Sequence, residues 1–259
     1  MNDIFVLFGY PLEKTLSPTI HNSSLASGLY FAQPIKKEHL GYAIQSIKVF
    51  EWKGANVTIP HKQEVMKYLD IIDKKAKATG AVNTIKNENG QLRGFNTDIY
   101  GFQNSLNKEL NIENATIIGA GGAARAVIVA LIEQGCNHFS VINRSEDKAM
   151  IMIDDFKSIY PHINFQLIQD DMKNLNLDIL VNCTPLYNPH RLFRLDISKY
   201  QYIYDLKYDE EIDLLKAASI NGVQYVQNGL EMLILQAAYA QEIWTGEFPN
   251  LDVIRESLK

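Results

Sequence analysis

The chain has 259 residues, of which 46% are hydrophobic and 21% charged, and its formal net charge is −5. This composition is typical of a folded globular protein and excludes extensive disorder. Since a negative balance offers no basic field to nucleic acid or to an anionic membrane, we expect neither as a partner.

The apolar run Ile4–Phe8 is too short for the core of a signal peptide, and we predict a strand there. No stretch approaches the roughly 20 apolar residues of a membrane span. Cys136 and Cys183 lack a metal or redox spacing, and none of the six histidines has metal-ligand spacing to other ligands. We therefore expect free thiols, no bound metal and a cytoplasmic location.

The first hundred residues contain short strands and helices in turn. Strands are predicted at residues 4–8, 30–35 and 54–60, and helices at 18–29, 39–50, 61–68 and 73–79. Ser17 and Pro18 have the residue types of a helix N-cap and of the first helical position. Thr15 and Ser17 also place two hydroxyls at this helix start, where a small carboxylate can bind.

Two features of this region are poorly explained by local stability. Lys62 is predicted at a helix N-terminus, where its charge opposes the helix dipole. The Asn89-Gly90 pair predicts a hairpin, with strands at 80–86 and 92–98. The hairpin is predicted to carry two polar clusters at the same end, one at residues 83–84 and one at 96–98. Asp98 can cap the helix predicted at 99–110. The preference of turns for polar residues explains one such cluster more readily than two at the same end.

A glycine-rich turn at residues 119–122 is the strongest motif. It follows a predicted buried strand, 116–119, and precedes a predicted helix, 123–134. Such a turn presents backbone N–H groups at a positive helix end, where a pyrophosphate can bind. The glycines permit the tight turn and the close approach of phosphates. We interpret the motif as a nucleotide site, the alternative being a glycine-rich turn without a ligand.

Strands and helices alternate after residue 115, which predicts a parallel, doubly wound sheet. Strands are predicted at 139–143, 164–168, 178–184, 200–208 and 224–226, and helices at 145–160, 209–220, 229–244 and 251–258. Arg144 lies just after the second strand of this region, where an arginine suits a 2′-phosphate and favours NADP over NAD. Lys148 offers a second cation, although Glu146 and Asp147 lie nearby.

Eight segments, in their order along the chain, resemble the shikimate dehydrogenase family. They begin at Gly9-x-Pro11 and Leu16-Ser-Pro-x-x-His21, and they end at 229–238. The others are 56–62, 80–84, 94–98, 119–125 and 143–145. The resemblance implies an α/β protein of two domains with an active-site cleft between them. The N-terminal domain, residues 1–100, would have a mixed sheet and bind substrate. A Rossmann-type domain, residues 101–235, would bind NADP, and helices at 236–259 would pack back on the first domain.

The resemblance also implies reversible, NADP-dependent reduction of 3-dehydroshikimate to shikimate, a step of aromatic amino-acid biosynthesis. Lys62 and Asp98 match the family's catalytic pair. A cationic lysine can stabilise the developing alkoxide and supply its proton, and Asp98 would favour and orient the charged lysine.

The remaining site residues follow from the same resemblance. Substrate would be held by Thr15, Ser17, Thr58, Asn83, Tyr208 and Gln236. The cofactor would be held by Gly119, Ala120, Gly121, Gly122, Ala123, Asn143, Arg144, Ser145, Lys148, Leu206 and Gly229. A monomer or a homodimer is expected, and His21 and His61 are expected to be structural.

Two departures from the family pattern leave alternatives open. Lys14-Thr15 replaces the usual His-Ser, and the extra methyl group of Thr15 narrows the predicted pocket. Tyr187-Asn188 replaces a usual Gly-Met pair in the loop beside the nicotinamide. A paralogue acting on quinate or another hydroxylated ring acid is one alternative, and a non-catalytic NADP-binding sensor is another. A Rossmann domain of a folate enzyme fits the residues less well.

Overall fold

The computed structural model describes residues 3–12, 15–168, 177–208 and 212–259. They form two compact units, one of Met1–Asn104 with Leu233–Lys259 and the other of Ser105–Met232. Each unit is built on a six-stranded sheet with helices, so the predicted α/β class is confirmed. Among these described residues, no helix has the length and apolar character needed to cross a membrane.

The first unit contains the strands β1 Ile4–Gly9, β2 Leu29–Pro34, β3 Gly54–Val57, β4 Ile71–Ile72, β5 Thr84–Glu88 and β6 Gln91–Phe95. Its helices are α1 Ser17–Ser24, α2 Leu40–Val49, α3 Lys74–Thr79, most of α4 Asp98–Ser105, most of α9 Leu230–Thr245 and α10 Leu251–Glu256. The strand order is β2-β1-β3-β5-β6-β4. Because β1 pairs in parallel with β2 and β3 while β5 pairs antiparallel with β3 and β6, the sheet is mixed, as predicted.

The C-terminal helix α9 completes one side of this unit. Trp244 stacks on Phe5 with 4.6 Å between ring centroids, and its Nε1 donates to the carbonyl oxygen of Ile85 over 2.9 Å. Gln241 of the same helix donates to Ser24 in α1 over 2.8 Å. The helix is therefore held to the sheet by apolar packing and by satisfied polar groups.

The second unit contains β7 Asn114–Ile118, β8 His138–Ile142, β9 Asn164–Leu167, β10 Ile179–Asn182, β11 Tyr202–Asp205 and β12 Tyr225–Asn228. Its helices are α5 Gly122–Glu133, α6 Glu146–Ile159, α7 Pro189–Leu192 and α8 Asp213–Ile220. The order β12-β11-β10-β7-β8-β9 is parallel throughout. The predicted doubly wound sheet is confirmed, and its strand order reverses direction beside β7, where such sheets bind ligands.

Several local predictions were wrong. The helix predicted at 18–29 ends at Ser24, since the next residue, Leu25, is extended, with a ψ of 117°. Gly28, with a φ of 143°, then turns the chain so that the N–H of Leu29 donates to the Asp3 carbonyl oxygen. Ser17 is not the N-cap: that position is Leu16, without a side-chain cap, and Ser17 is the first helical residue.

Lys62 also differs from its prediction. It lies in a turn, and only a short 3-10 helix, Glu64–Tyr68, follows it. The carbonyl oxygen of Lys62 accepts a hydrogen bond from the N–H of Val82, a contact distant in sequence. The lysine therefore does not oppose the dipole of an α-helix. The predicted α8 start at residue 209 lies outside the described residues.

Candidate active site

Lys62 and Asp98 form a partly buried ion pair in the first unit. The Nζ atom of Lys62 lies 2.6 Å from Oδ2 of Asp98, and the side chains are 15% and 8% exposed. Lys62 follows β3 in a turn, and Asp98 begins α4 directly after the hairpin. The pair thus places a cation with little solvent screening at the open end of the hairpin, where β5 begins and β6 ends, and this arrangement can protonate or orient a bound oxygen.

Asn83 holds the second oxygen of the Asp98 carboxylate. Its Nδ2 donates to Oδ1 of Asp98 over 2.9 Å, and its Oδ1 accepts from the N–H of Thr97 over 2.8 Å. Gln236 of α9 lies beside this group, with its Oε1 3.4 Å from Nδ2 of Asn83. Four of the predicted site residues are therefore joined in one network within the first unit.

Thr15 and Ser17 lie together at the start of α1. The Thr15 hydroxyl donates to Oγ of Ser17 over 3.2 Å, and the backbone N–H of Ser17 donates back to Thr15 over 3.2 Å. Both side chains are half-buried, which suits a site that exchanges water for an anion. Thr58 follows β3, also half-buried, and its Cγ2 lies where a side chain on Gly9 would point. Tyr208 belongs to the second unit and is half-buried after β11.

The glycine-rich turn has the geometry of a phosphate cradle. Gly119 has a φ of 120°, a conformation that side chains rarely adopt, so glycine is required there for the turn itself. Gly121 is extended, with φ −90° and ψ −175°, and a Cβ built on it would meet nothing within 4 Å. Neither the backbone conformation nor a contact within the protein therefore requires glycine at this position. The open space lies at the N-terminus of the 12-residue helix α5, so the residues present fit a bound pyrophosphate.

The residues after β8 are predicted to select the cofactor. Asn143 donates through Nδ2 to the carbonyl oxygen of Ser145 over 2.7 Å, which shapes the turn before α6. Arg144 and Lys148 are exposed. Neither Arg144 nor Lys148 has an ion pair to another side chain in the described part of the chain. A phosphate group at the end of β8 would have access to both cations.

Leu206 and Gly229 meet by backbone contact. A Cβ on Gly229 would overlap the carbonyl oxygen of Leu206, and the N–H of Gly229 donates to the carbonyl oxygen of Lys207 over 2.8 Å. Glycine is needed here to bring the ends of β11 and β12 together. Both residues lie at the carboxyl ends of parallel strands, which is the side of such a sheet where dinucleotides bind.

Lys207 was missed by sequence reasoning. Its Nζ donates to the carbonyl oxygen of Leu186 over 3.0 Å and lies 5.5 Å from the ring centroid of Tyr187. It also lies 3.8 Å from the fully buried Asp205 carboxylate. The lysine therefore ties the loop that carries Tyr187-Asn188 to the end of β11. The unusual Tyr187 was the one feature of the sequence that could have indicated this lysine, because an aromatic ring can bind a nearby cation.

His21 is a buried residue of the first unit and has no exposed ring edge. Its ring stacks on Tyr30 at 4.1 Å between centroids, and Nδ1 lies 3.2 Å from Nε2 of Gln241. Burial lowers the pKa of His21 to about 3, so the ring is neutral near neutral pH. Burial also raises the pKa of Tyr30, while a hydrogen bond with Ser17 opposes this shift. Because His21 and Tyr30 are buried and neutral, they suit a structural role rather than proton transfer.

Family models match three stretches of the chain. Residues 7–85 match the shikimate dehydrogenase substrate binding domain, 102–193 match shikimate / quinate 5-dehydrogenase, and 229–259 match the shikimate 5'-dehydrogenase C-terminal domain. Over 271 residues the chain is 38% identical to the shikimate dehydrogenase (NADP(+)) of Caldanaerobacter subterraneus subsp. tengcongensis, with 99% of this chain and 96% of the relative covered. The chain belongs to the shikimate dehydrogenase family. The resemblance inferred from the eight sequence segments is confirmed.

Solved members of the family have the same fold. A shikimate dehydrogenase crystallised with NADP+ has a TM-score of 0.87 and 36% identity, covering 99% of this chain and 94% of its own. The Thermus thermophilus shikimate 5-dehydrogenase in complex with shikimate has a TM-score of 0.83 and 30% identity, covering 98% and 97%. The likeness therefore extends over both units of this chain.

Proposed function

We propose that this chain is an NADP-dependent oxidoreductase that reduces 3-dehydroshikimate reversibly to shikimate. The observation that carries the proposal is the Lys62–Asp98 pair, a 2.6 Å ion pair with little exposure, in the unit that matches the family's substrate binding domain. Lys62 and Asp98 are the catalytic residues of the proposal. Retention of both argues against a non-catalytic sensor.

Reduction of a ketone places negative charge on its oxygen, which must then gain a proton. The Lys62 ammonium lies in the turn that follows β3, and Asp98 holds it through Oδ2. Lys62 stabilises the developing charge and donates the proton, a contribution that is about 10²- to 10⁴-fold for a general acid. Asp98 orients the ammonium, and Asn83 orients Asp98 through its other oxygen.

The polar side chains around this pair suit a polyhydroxylated acid. Thr15 and Ser17, with Tyr208 of the second unit, bind the substrate carboxylate in this proposal. Thr58, Asn83 and Gln236 bind its ring hydroxyls. A site of this kind discriminates strongly, because a substrate that lacks one hydroxyl leaves a buried donor or acceptor unpaired.

NADPH supplies the hydride for the reaction. The open space at Gly121 and the positive end of α5 support binding of its pyrophosphate. The exposed Arg144, with Lys148 in the first turn of α6, supports binding of a 2′-phosphate. Gly119 and Ala120 form the turn before Gly121, and Gly122 and Ala123 begin α5. Asn143 and Ser145 shape the loop that presents Arg144, and Leu206 and Gly229 complete the proposed cofactor site.

The proposal assigns one role to each of two domains. Residues 1–100 with helices at 236–259 form the substrate-binding domain, and residues 101–235 form the NADP domain. The proposal also keeps a cytoplasmic location and a monomer or homodimer. Activity on quinate or another hydroxylated ring acid is the competing function, because Thr15 and Tyr187-Asn188 depart from the family pattern at residues that bear on substrate choice.

Turnover with defined substrates tests the proposal. We expect NADPH oxidation with 3-dehydroshikimate to be fast, and oxidation with 3-dehydroquinate, or with NADH in place of NADPH, to be much slower. Preference for 3-dehydroquinate would move the chain to the quinate branch. NADPH binding without turnover on either substrate would support the sensor.

Substitution of the proposed acid tests the mechanism. Lys62→Met should lower kcat by about 10²- to 10⁴-fold. It should also lower the unfolding midpoint, because Asp98 loses its partner, but the variant should remain folded under the assay conditions. Lys48→Met is the matched control, since Lys48 also forms an ion pair, 2.8 Å from Asp70, but lies on the surface. Near-normal turnover of the Lys62 variant would remove this residue from the catalytic role.

A further inference from the structure

A line of buried polar side chains leads through the first unit from Tyr30 to Asp98. Tyr30 is 1% exposed, Asn56 6% and Thr84 0%, and they lie on the three strands β2, β3 and β5. Buried polar groups are costly unless they are hydrogen-bonded, so the direction of each hydrogen bond can be worked out from its partners.

Asn56 fixes the first step. Its Nδ2 donates to the carbonyl oxygen of Asn83 over 3.1 Å and to Oγ1 of Thr84 over 3.0 Å. Because a backbone carbonyl can only accept, the amide of Asn56 cannot be turned round. Its Oδ1 therefore faces the Tyr30 hydroxyl, which donates to it over 2.8 Å.

Thr84 and Asn83 fix the next two steps. Oδ1 of Asn83 accepts from the backbone N–H of Thr97 over 2.8 Å, which sets the orientation of this amide as well. The Thr84 hydroxyl donates to the same Oδ1 over 3.0 Å. It also lies 3.1 Å from the hydroxyl of Thr97, which accepts from Nδ2 of Asn83 over 3.0 Å, so both hydrogen-bonding routes from Thr84 lead to Asn83. Nδ2 of Asn83 then donates to Oδ1 of Asp98 over 2.9 Å.

We propose that Tyr30, Asn56 and Thr84 are positioning residues that act through Asn83 on the Lys62–Asp98 pair. One donor from each of Tyr30, Asn56, Thr84 and Asn83 leads to the next member of the line and finally to the Asp98 carboxylate. Hydrogen bonds aligned in one direction polarise and strengthen each other. One carboxylate oxygen is thereby held by the chain, and the other is turned to Lys62 at 2.6 Å. The catalytic part of this inference rests on the proposed function, whereas the coupling to Lys62 does not.

Labelling of Lys62 tests the coupling without any substrate. Acetic anhydride reacts with neutral amines, so an ammonium held by a carboxylate is acetylated slowly. The modified fraction of the Lys62 peptide, relative to the Lys48 peptide of the same sample, is measured by mass spectrometry. Among the described residues, no hydrogen bond joins Thr84 directly to Lys62 or to Asp98.

Thr84→Val removes the hydroxyl at nearly constant shape, and Thr84→Ser keeps it. We expect relative acetylation of Lys62 to rise at least about three-fold in the valine variant and to stay at the wild-type value in the serine variant. Tyr30→Phe, two steps further away, should give a smaller rise. Thr116→Val is the control, since Thr116 is a buried threonine of the second unit that accepts from Tyr200 over 3.1 Å.

Wild-type labelling of Lys62 in both Thr84→Val and Tyr30→Phe would overturn the inference. If Thr84→Val fails to fold, Tyr30→Phe alone decides, because it removes one oxygen and leaves the ring stacking in place. An equal rise in Thr116→Val would also overturn it, since the effect would then follow any buried change.

Turnover then separates this inference from the proposed function. With an active wild type, Thr84→Val should lower kcat about five-fold or more and leave the KM for NADPH within about two-fold, and Thr84→Ser should restore kcat. Inactivity of the wild type on every ring acid would refute the proposed function, while the labelling result would still decide the coupling.

Discussion

Gly121→Ala tests the phosphate cradle directly, because the structure predicts little change in the free energy of unfolding but a large loss of NADPH affinity. Gly121 already has a backbone conformation that alanine adopts, and a Cβ there meets nothing within 4 Å. Alanine restricts the unfolded chain, which stabilises the fold by about 0.4–1 kcal/mol, and it is a poorer N-cap by up to about 1 kcal/mol. The two effects nearly cancel, so the free energy of unfolding should change by less than about 1 kcal/mol.

NADPH binding should respond very differently. The new methyl group occupies the space at the start of α5 and keeps a phosphate from one backbone N–H. A hydrogen bond to a charged group contributes about 1.5–3 kcal/mol, which corresponds to roughly 10- to 140-fold weaker binding. Fluorescence titration with NADPH measures this change, and urea unfolding measures stability.

The control for the binding measurement is Gly41→Ala, a change in α2 of the first unit, which should leave NADPH affinity unchanged. Unaltered NADPH affinity in Gly121→Ala would refute the assignment of the open space to phosphate. A large loss of stability would refute the premise that the protein itself tolerates a side chain there.

Three further outcomes are expected. Arg144→Ala should raise the KM for NADPH by about 10-fold or more and leave NADH kinetics unchanged, because only NADPH has the 2′-phosphate; an equal effect on both cofactors would contradict this role. Gly229→Ala should lower stability by about 1–3 kcal/mol in urea unfolding, since the Cβ overlaps the Leu206 carbonyl; an unchanged midpoint would contradict that contact. Burial lowers the pKa of His21 from 6.5 to about 3, so this residue binds a proton more readily in the unfolded chain than in the folded one. The free energy of unfolding should therefore fall by about 2 kcal/mol through His21 as the pH falls from about 7 to 5. His21→Gln should lose less stability over this range, and parallel pH curves for the variant and the wild type would rule this out.

The second unit could be predicted from sequence because its signals are local. Glycines between a β-branched strand and an alanine-rich helix, followed by regular alternation, are sufficient for a parallel doubly wound sheet. The first unit was harder, since β4 has only two residues and Lys62 is held in its turn by Val82 and Asp98. Contacts distant in sequence override local propensity at both places.

The residues of the candidate site likewise differ in whether the sequence alone can predict them. Lys62, Asp98 and the glycine turn were found through motifs, whereas Tyr30 and Lys207 act through partners that only the folded chain brings near. A buried tyrosine in a strand is interpreted from sequence as a core residue, and a lysine after a strand as a surface charge. Neither role has a signature in residue order.

The divided composition of the first unit has a consequence for synthesis on the ribosome. The second unit is continuous, residues 105–232, whereas the first needs residues 233–259, including the Trp244 that packs on Phe5. At about 5–20 residues per second, the N-terminal segment waits roughly 7–28 seconds after its own translation for Trp244. During that interval Phe5, Tyr30 and the β3 backbone lack the helix that covers them. The second unit is thus the one equipped to fold first, and the N-terminal segment is the nascent stretch with the greatest need of a chaperone.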